Sequence, residues 1–392
     1  MTTRRQALRW MGGAAVLAGL PGLAFAAPST GELRLVFVFL RGGMDGLAAV
    51  PAWSDPSYAA RRGVLAIGPP GTPGGALDLD GRFGLNPNLP EMHRLYAARE
   101  LAVLHAIASP YRERSHFDAQ NLIENGTARP FGRDTGWLNA ALGARPGRGG
   151  IALGQSIPLV LRGPAHVGSW SPSRLPGPDA DLLERLAALY MGDPLLERSF
   201  KAARESQAMM AGQPAPGMEG GGQPVLALAT AAGEVLARRD GPRVASIDFG
   251  GWDTHISQLG EYGALTRNLR LLDRSVAALK TSLGAAWQQA AVLIVTEFGR
   301  TVAPNGSSGT DHGTAGAAFV AGGTVRGGRV VTDWPGLGER DLHEGRDLRP
   351  TLDLRALFKA ALIAQMAIDE ATLEAQVFPG SAGVRPLEGL FA

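Results

Sequence analysis

Leu33-Arg34-Leu35-Val36-Phe37-Val38-Phe39-Leu40, followed at once by Arg41-Gly42-Gly43-Met44-Asp45-Gly46, is the stretch on which the fold turns. A nearly unbroken apolar run, rich in valine and phenylalanine, suits a strand buried on both faces, as in a parallel sheet covered by helices on each side. The glycines mark a tight turn at its end, and Asp45 stands on that turn. Sites in open α/β sheets gather at the carboxyl ends of strands. Asp45 is therefore either a ligand or a plain turn residue.

Outward from this run the same character recurs. Residues 101–108 (LAVLHAIA) read as a second buried strand, and Ser115-His116-Phe117-Asp118 opens a helix to about Glu124. Further strands are predicted at 151–153, 158–161, 243–247, 291–296 and 317–321. Helical patterns fill 181–210, with a break before Pro194, and 259–286. Alternating strands and helices predict an α/β protein, a three-layer α/β/α sandwich with a mostly parallel sheet. The Gly- and Pro-rich segment 211–223 reads as a flexible loop within a single domain spanning 27–392.

The first 26 residues read as an address. Arg4-Arg5, the apolar run 11–23 and Ala24-Phe25-Ala26 form a twin-arginine signal with cleavage expected after Ala26. A membrane anchor needs about 20 apolar residues, and this run is shorter and broken by Gly12, Gly13, Gly19 and Pro21. The expectation is a periplasmic or secreted protein that meets the twin-arginine translocase during export and keeps no stable membrane insertion. Removing the segment takes away three arginines and no acid, so the formal charge of +2 becomes −1. The remaining basic residues are scattered without a dense block, which argues against nucleic acid as a partner. The chain has no cysteine, so any metal must sit on His, Asp or Glu.

Five places put acids or histidines shortly beyond a predicted strand: Asp45, 115–118, 248–255, 297–300 and 311–312. In Asp248-Phe249-Gly250-Gly251-Trp252-Asp253-Thr254-His255 the glycines permit a tight turn, and Asp253 and His255 are spaced to converge on one ion. A helix cap with a surface histidine is the alternative. Thr296-Glu297-Phe298-Gly299-Arg300 ends a buried strand in an acid and an arginine, and Asp311-His312 stands in a glycine-rich loop before the next strand. An Asx-turn would explain that loop but not its histidine.

Residues 247–322 resemble the metal-binding half of the alkaline phosphatase-like superfamily of phosphatases, sulfatases and cofactor-independent phosphoglycerate mutases. The resemblance implies divalent ions, zinc, manganese or similar, held by Asp45, Asp253 (or Asp248), His255, Glu297, Asp311 and His312. Glu297 replaces the usual Asp-His couple, which leaves one ion, two ions or a vestigial site open. Across 39–348 the phrases FLRGGMDG, RSHFDAQ, GGWDTH, TEFGR, GTDHG and EGRDL resemble the exported bacterial family labelled domain of unknown function 1501. The superfamily's nucleophile corresponds to Ser115, which as a capping residue also has a purely structural reading. His116 orients a leaving group or a ligand, or packs. Arg41 and Arg300, then Arg114, are placed to bind ester oxygens or to neutralise a carboxylate. His343 and Asp347 read either as late ligands or as a surface histidine and a cap. The activity implied is an exported metal-dependent hydrolase of a phosphate or sulfate ester, in a small molecule or a polymer. The alternatives are a non-catalytic envelope binding protein on the same fold and, more distantly, an isomerase or mutase.

Overall fold

The computed structural model describes residues 33–147, 149–172, 179–209 and 224–392. The signal segment 1–26 and the Gly/Pro-rich loop 211–223 lie outside the described residues. Among the described residues nine strands build one sheet: β1 (Arg34–Leu40), β2 (Leu101–Ala108), β3 (Gly150–Leu153), β4 (Val167–Trp170), β5 (Val244–Phe249), β6 (Ala290–Thr296), β7 (Gly316–Ala321), β8 (Arg329–Val331) and β9 (Leu352–Asp353). Their order is β8-β2-β7-β6-β1-β5-β3-β4, with β9 also paired to β2. Every pairing in this sheet is parallel except those of β7, which runs antiparallel to both β2 and β6.

The opening run decides the layering as its composition predicts. All seven residues of β1 are buried. Val36, Val38 and Leu40 enter one core, while Leu35, Phe37 and Phe39 enter the other. The first core is closed by α1 (Pro90–Ala97), α6 (Pro224–Ala237) and α7 (Ala264–Leu283). The second is closed by α2 (His116–Asn125), α3 (Trp137–Ala144) and α8 (Leu354–Met366). Helix α7 buries Leu265, Leu269, Leu272, Val276, Leu279 and Leu283, alternating steps of four and three that keep one stripe inward. The protein is thus a three-layer α/β/α sandwich on a mostly parallel sheet.

One local expectation changes and one holds. Residues 158–161 do not form a strand: Leu159–Leu161 is a single 3-10 turn packed against α2 and α3. The helical pattern 181–210 divides into α4 (Ala180–Tyr190) and α5 (Pro194–Met209), with the break before Pro194. No helix among the described residues is long and apolar enough to cross a membrane.

In β2, His105 is wholly buried at a bulge where Ala106 takes a φ of +56°. Its Nε2 donates to Val50 O at 3.0 Å and its Nδ1 accepts from Ala106 N at 2.9 Å, so the ring is held neutral. Burial pushes its pKa down to about 4. Between pH 6.5 and 4 the unfolded chain takes up a proton that the folded chain refuses, so stability falls as pH falls through that window. The expected loss is on the order of 3 kcal/mol. Denaturant titrations of His105→Gln should lack this part of the slope.

Candidate metal centre

The carboxyl ends of β1, β5 and β6 coincide, since Leu40 is in register with both Phe249 and Thr296. Strand β7 runs the other way, so its entrance, not its exit, lies at that same edge; Ile107 near the end of β2 faces Gly316 at the start of β7. This is why a loop before a strand, 305–314, meets loops that follow other strands.

Four side chains converge there. His116 begins α2, Asp253 and His255 follow β5, and His312 precedes β7. His116 Nε2 lies 3.0 Å from His312 Nε2, and His255 Nε2 lies 3.1 Å from His312 Nε2. Asp253 Oδ1 is 3.4, 2.9 and 3.2 Å from the Nε2 atoms of His116, His255 and His312. One ligand atom each from His116, Asp253 and His312 falls within 4.8 Å of the others, a group able to hold a metal ion.

The opposite nitrogens of the rings are all held by oxygen. His116 Nδ1 is 2.7 Å from Glu297 Oε1, His312 Nδ1 is 3.0 Å from Arg114 O, and His255 Nδ1 is 3.4 Å from Asp311 Oδ1. A carbonyl or carboxylate only accepts, so each Nδ1 carries the hydrogen and each Nε2 lone pair faces the common centre. That is the arrangement by which outer carboxylates and carbonyls fix metal-binding imidazoles. For His116, Asp253 and His312 the spacing also fits, since ligands on a tetrahedral zinc at about 2.0–2.1 Å stand roughly 3.3 Å apart, and His255 lies beside that group through Asp253 and His312. Three imidazoles with one carboxylate suit zinc or a similar transition ion better than magnesium or calcium, which favour all-oxygen sets. The donor set fits a divalent transition metal.

Charge around the centre is arranged to match. Burial opposes ionisation of Asp253, but the Arg300 guanidinium at 2.5 Å, with His116 and His255, brings its pKa down to about 2. Burial likewise works against Glu297, and hydrogen bonds from His116 and Gln120 outweigh it, holding the carboxyl below the usual range. Burial lowers His116, but Glu297 more than reverses that. His312 is shifted down by burial, then by His116 and Arg300. Asp311 is shifted down chiefly by the hydrogen bond from Asn305.

The structure sorts the sequence-predicted residues into inner and outer positions. Glu297 and Asp311 hold rings rather than sharing their focus. Asp45 stays out of the cluster: it is buried, caps the short helix Gly46–Ala49, and pairs with Arg62 at 2.6 Å. Arg300 is fully enclosed. It donates to the carbonyls of Gly42, Gly43, Trp252 and Thr310 as well as to Asp253, so it pins the ligand loops and has no fork left for a substrate. Arg41 lies over the Phe39 ring and is bound to Gln120, Glu124 and Asp248. Arg114 is engaged by Glu344 and Asp347, and Asp347 is buried under it and Arg346. His343 stands beside Glu344 at 3.9 Å, apart from the cluster. His116, expected beside the chemistry as an orienting group, instead directs its Nε2 to the focus. Ser115 is the N-cap of α2, with Asp118 N donating to its Oγ at 3.5 Å, one residue before His116.

Two glycines allow the loops to close. Gly42 has a φ of +122°, and a Cβ there would lie 2.5 Å from Asp253 N. A Cβ on Gly309 would lie 2.1 Å from the His255 carbonyl. Beneath them runs a buried network that the sequence did not reveal. Gln258 donates to Asp45 at 2.6 Å and accepts from Thr254 and Thr310 at 3.2 and 2.8 Å. Its only sequence signal is a polar residue three positions after His255, which is too common to single out. Exchanging Glu297 for glutamine should lower metal affinity about 10–100-fold by loosening the His116 ring, as read by competition with a chelating dye.

A mostly parallel sheet covered on both faces, with imidazoles and a carboxylate gathered at its carboxyl edge, defines an α/β protein with a candidate metal centre. The chain belongs to the family described as "Protein of unknown function (DUF1501)", whose model matches residues 108–377. No curated protein matches it. Among solved structures it is similar to a putative sulfatase from Bacteroides thetaiotaomicron, with TM-score 0.43 and 10% identity over 92% of this chain and 76% of that one. It is also similar to the C-terminal periplasmic domain of EcEptC from Escherichia coli in complex with Zn, with TM-score 0.37 and 11% identity over 75% and 74% of the two chains. A third is a protein in the alkaline phosphatase superfamily from Vibrio parahaemolyticus, with TM-score 0.37 and 10% identity over 74% and 60%.

Proposed function

We propose that this chain is an exported metal-dependent hydrolase acting on a phosphate or sulfate ester. The observation that carries the reading is the set of three imidazoles, each fixed at Nδ1 by an oxygen, with their Nε2 atoms gathered around Asp253 Oδ1. A divalent ion bound there supplies Lewis-acid stabilisation of developing negative charge and lowers the pKa of a nearby hydroxyl or water. The chain's own part is to hold that set rigid through Glu297, Asp311 and Arg300, and to present Ser115 at the start of α2. There the helix dipole and unpaired backbone N–H groups favour an anionic group. In this reading Ser115 Oγ gives up its proton and forms a bond to phosphorus or sulfur as the bond from that atom to the alcohol oxygen breaks; the alcohol leaves carrying a proton, and water later cleaves the seryl ester, releasing the acid and restoring the hydroxyl.

The twin-arginine segment supports export by the twin-arginine translocase, after which the chain acts in the periplasm or outside the cell. A second reading, an envelope protein that binds a partner without catalysis, is favoured by one observation. Arg41 and Arg300, the arginines first placed to bind ester oxygens, are both consumed by protein acceptors. Hydrolysis of a panel of aryl phosphates and sulfates by the metal-loaded protein separates the two. Turnover is expected, falling on the order of a thousandfold in Ser115→Ala. Full activity in that variant removes Ser115 from the mechanism, and no turnover of any ester favours the binding protein.

A further inference from the structure

Asp45 and Glu297, two of the acids expected to hold ions, are occupied by protein donors. Asp45 Oδ1 accepts from Ala48 N at 3.1 Å, and its Oδ2 accepts from both Arg62 and Gln258 at 2.6 Å. The Asp45 and Arg62 side chains are 2% and 0% exposed. Arg62 is itself tied down, donating to Val302 O at 3.0 Å. Glu297 Oε1 accepts from Gly42 N, Gln120 and His116 at 2.8, 2.9 and 2.7 Å, and its Oε2 faces the Thr296 hydroxyl at 3.1 Å. A cation approaching either oxygen of Asp45, or Oε1 of Glu297, would meet hydrogens already aimed at it. Asp248, a further acid near this edge, faces Arg41 at 3.0 Å.

The ligand atoms that lie within one ion's reach of one another are those of His116, His312 and Asp253, with His255 Nε2 3.1 Å from His312 beside them. The geometry points to a centre for one divalent ion per chain, with the Arg62 guanidinium supplying the positive charge that a second ion would give Asp45. This rests on the proposed metal centre and narrows it. Placing a covalently attached cation at Asp45 has a structural consequence. The Asp45-Gln258 link, which reaches Thr254 and Thr310, ties the Asp253–His255 loop to the Asp311–His312 loop whether or not metal is bound. The inner donors therefore stay assembled in the metal-free chain, and the second position does not depend on metal supply.

Elemental analysis tests this on the full chain, stripped with a chelator, reloaded with excess zinc or manganese chloride and desalted. One ion per chain is expected in the wild type and in Asp45→Asn, and none in His312→Ala. Two ions in the wild type overturn the single-ion centre. No ion in the wild type overturns the metal centre on which it rests, a distinguishable failure. Loss of the ion from a folded Asp45→Asn protein makes Asp45 a ligand and also overturns the inference. The wild-type count stands by itself if that variant does not fold.

Discussion

Replacing Arg62 with methionine is expected to destabilise the fold by about 3–5 kcal/mol, the usual consequence of stripping one partner from a buried ion pair. The Asp45 carboxylate would remain in a site with 1% exposure for the residue, keeping Gln258 and Ala48 N but no positive charge. Such a group must either stay ionised at high cost or take up a proton and turn one of its oxygens into a donor. Denaturant titration reads the effect directly. The double variant Asp45→Asn with Arg62→Met should recover part of the loss, because it removes the uncompensated charge as well as the pair. Equal stability of wild type and Arg62→Met would show that Asp45 finds water or another partner in place of Arg62.

His312→Ala is expected to lower zinc affinity on the order of a thousandfold, beyond the 10–100-fold that follows from loosening an outer partner. His312 is central to the cluster. Its Nε2 lies within 3.2 Å of His116, His255 and Asp253, whereas the rings of His116 and His255 meet through it. Calorimetric titration with zinc compares the variants. An undiminished affinity in His312→Ala would remove this ring from the centre.

The fold was legible because the apolar runs of β1, β2 and β6 are long and nearly unbroken, and because α7 repeats its leucines at helical spacing. The stretch 158–161 misled because four apolar residues after a proline satisfy a strand pattern as readily as a short turn. Strands β4, β8 and β9 were not expected: at two to four residues they owe their form to pairing with a neighbour rather than to a pattern of their own. At the site, the sequence marks every motif that reaches the sheet edge but not its depth. Asp253 and Glu297 look equivalent as acids beyond strand ends. Three residues of intervening loop let Asp253 reach the focus at 44% side-chain exposure, while Glu297, fixed directly at the end of β6, is wholly buried behind the His116 ring. Arg300 and Arg41 are similarly ambiguous, because only tertiary structure decides whether a guanidinium faces a ligand or carbonyls of its own chain. Nothing local predicts Arg62 for Asp45, since the pairing depends on how residues 58–62 pack under the 301–302 turn.

The most direct measurement is X-ray absorption at the zinc edge on the zinc-loaded full chain. The account predicts a first shell of nitrogen and oxygen at about 2.0–2.1 Å with the multiple-scattering pattern of three imidazoles, which diminishes in His116→Ala. An all-oxygen shell without imidazole scattering would contradict the assignment of His116, His255 and His312 as the inner donors.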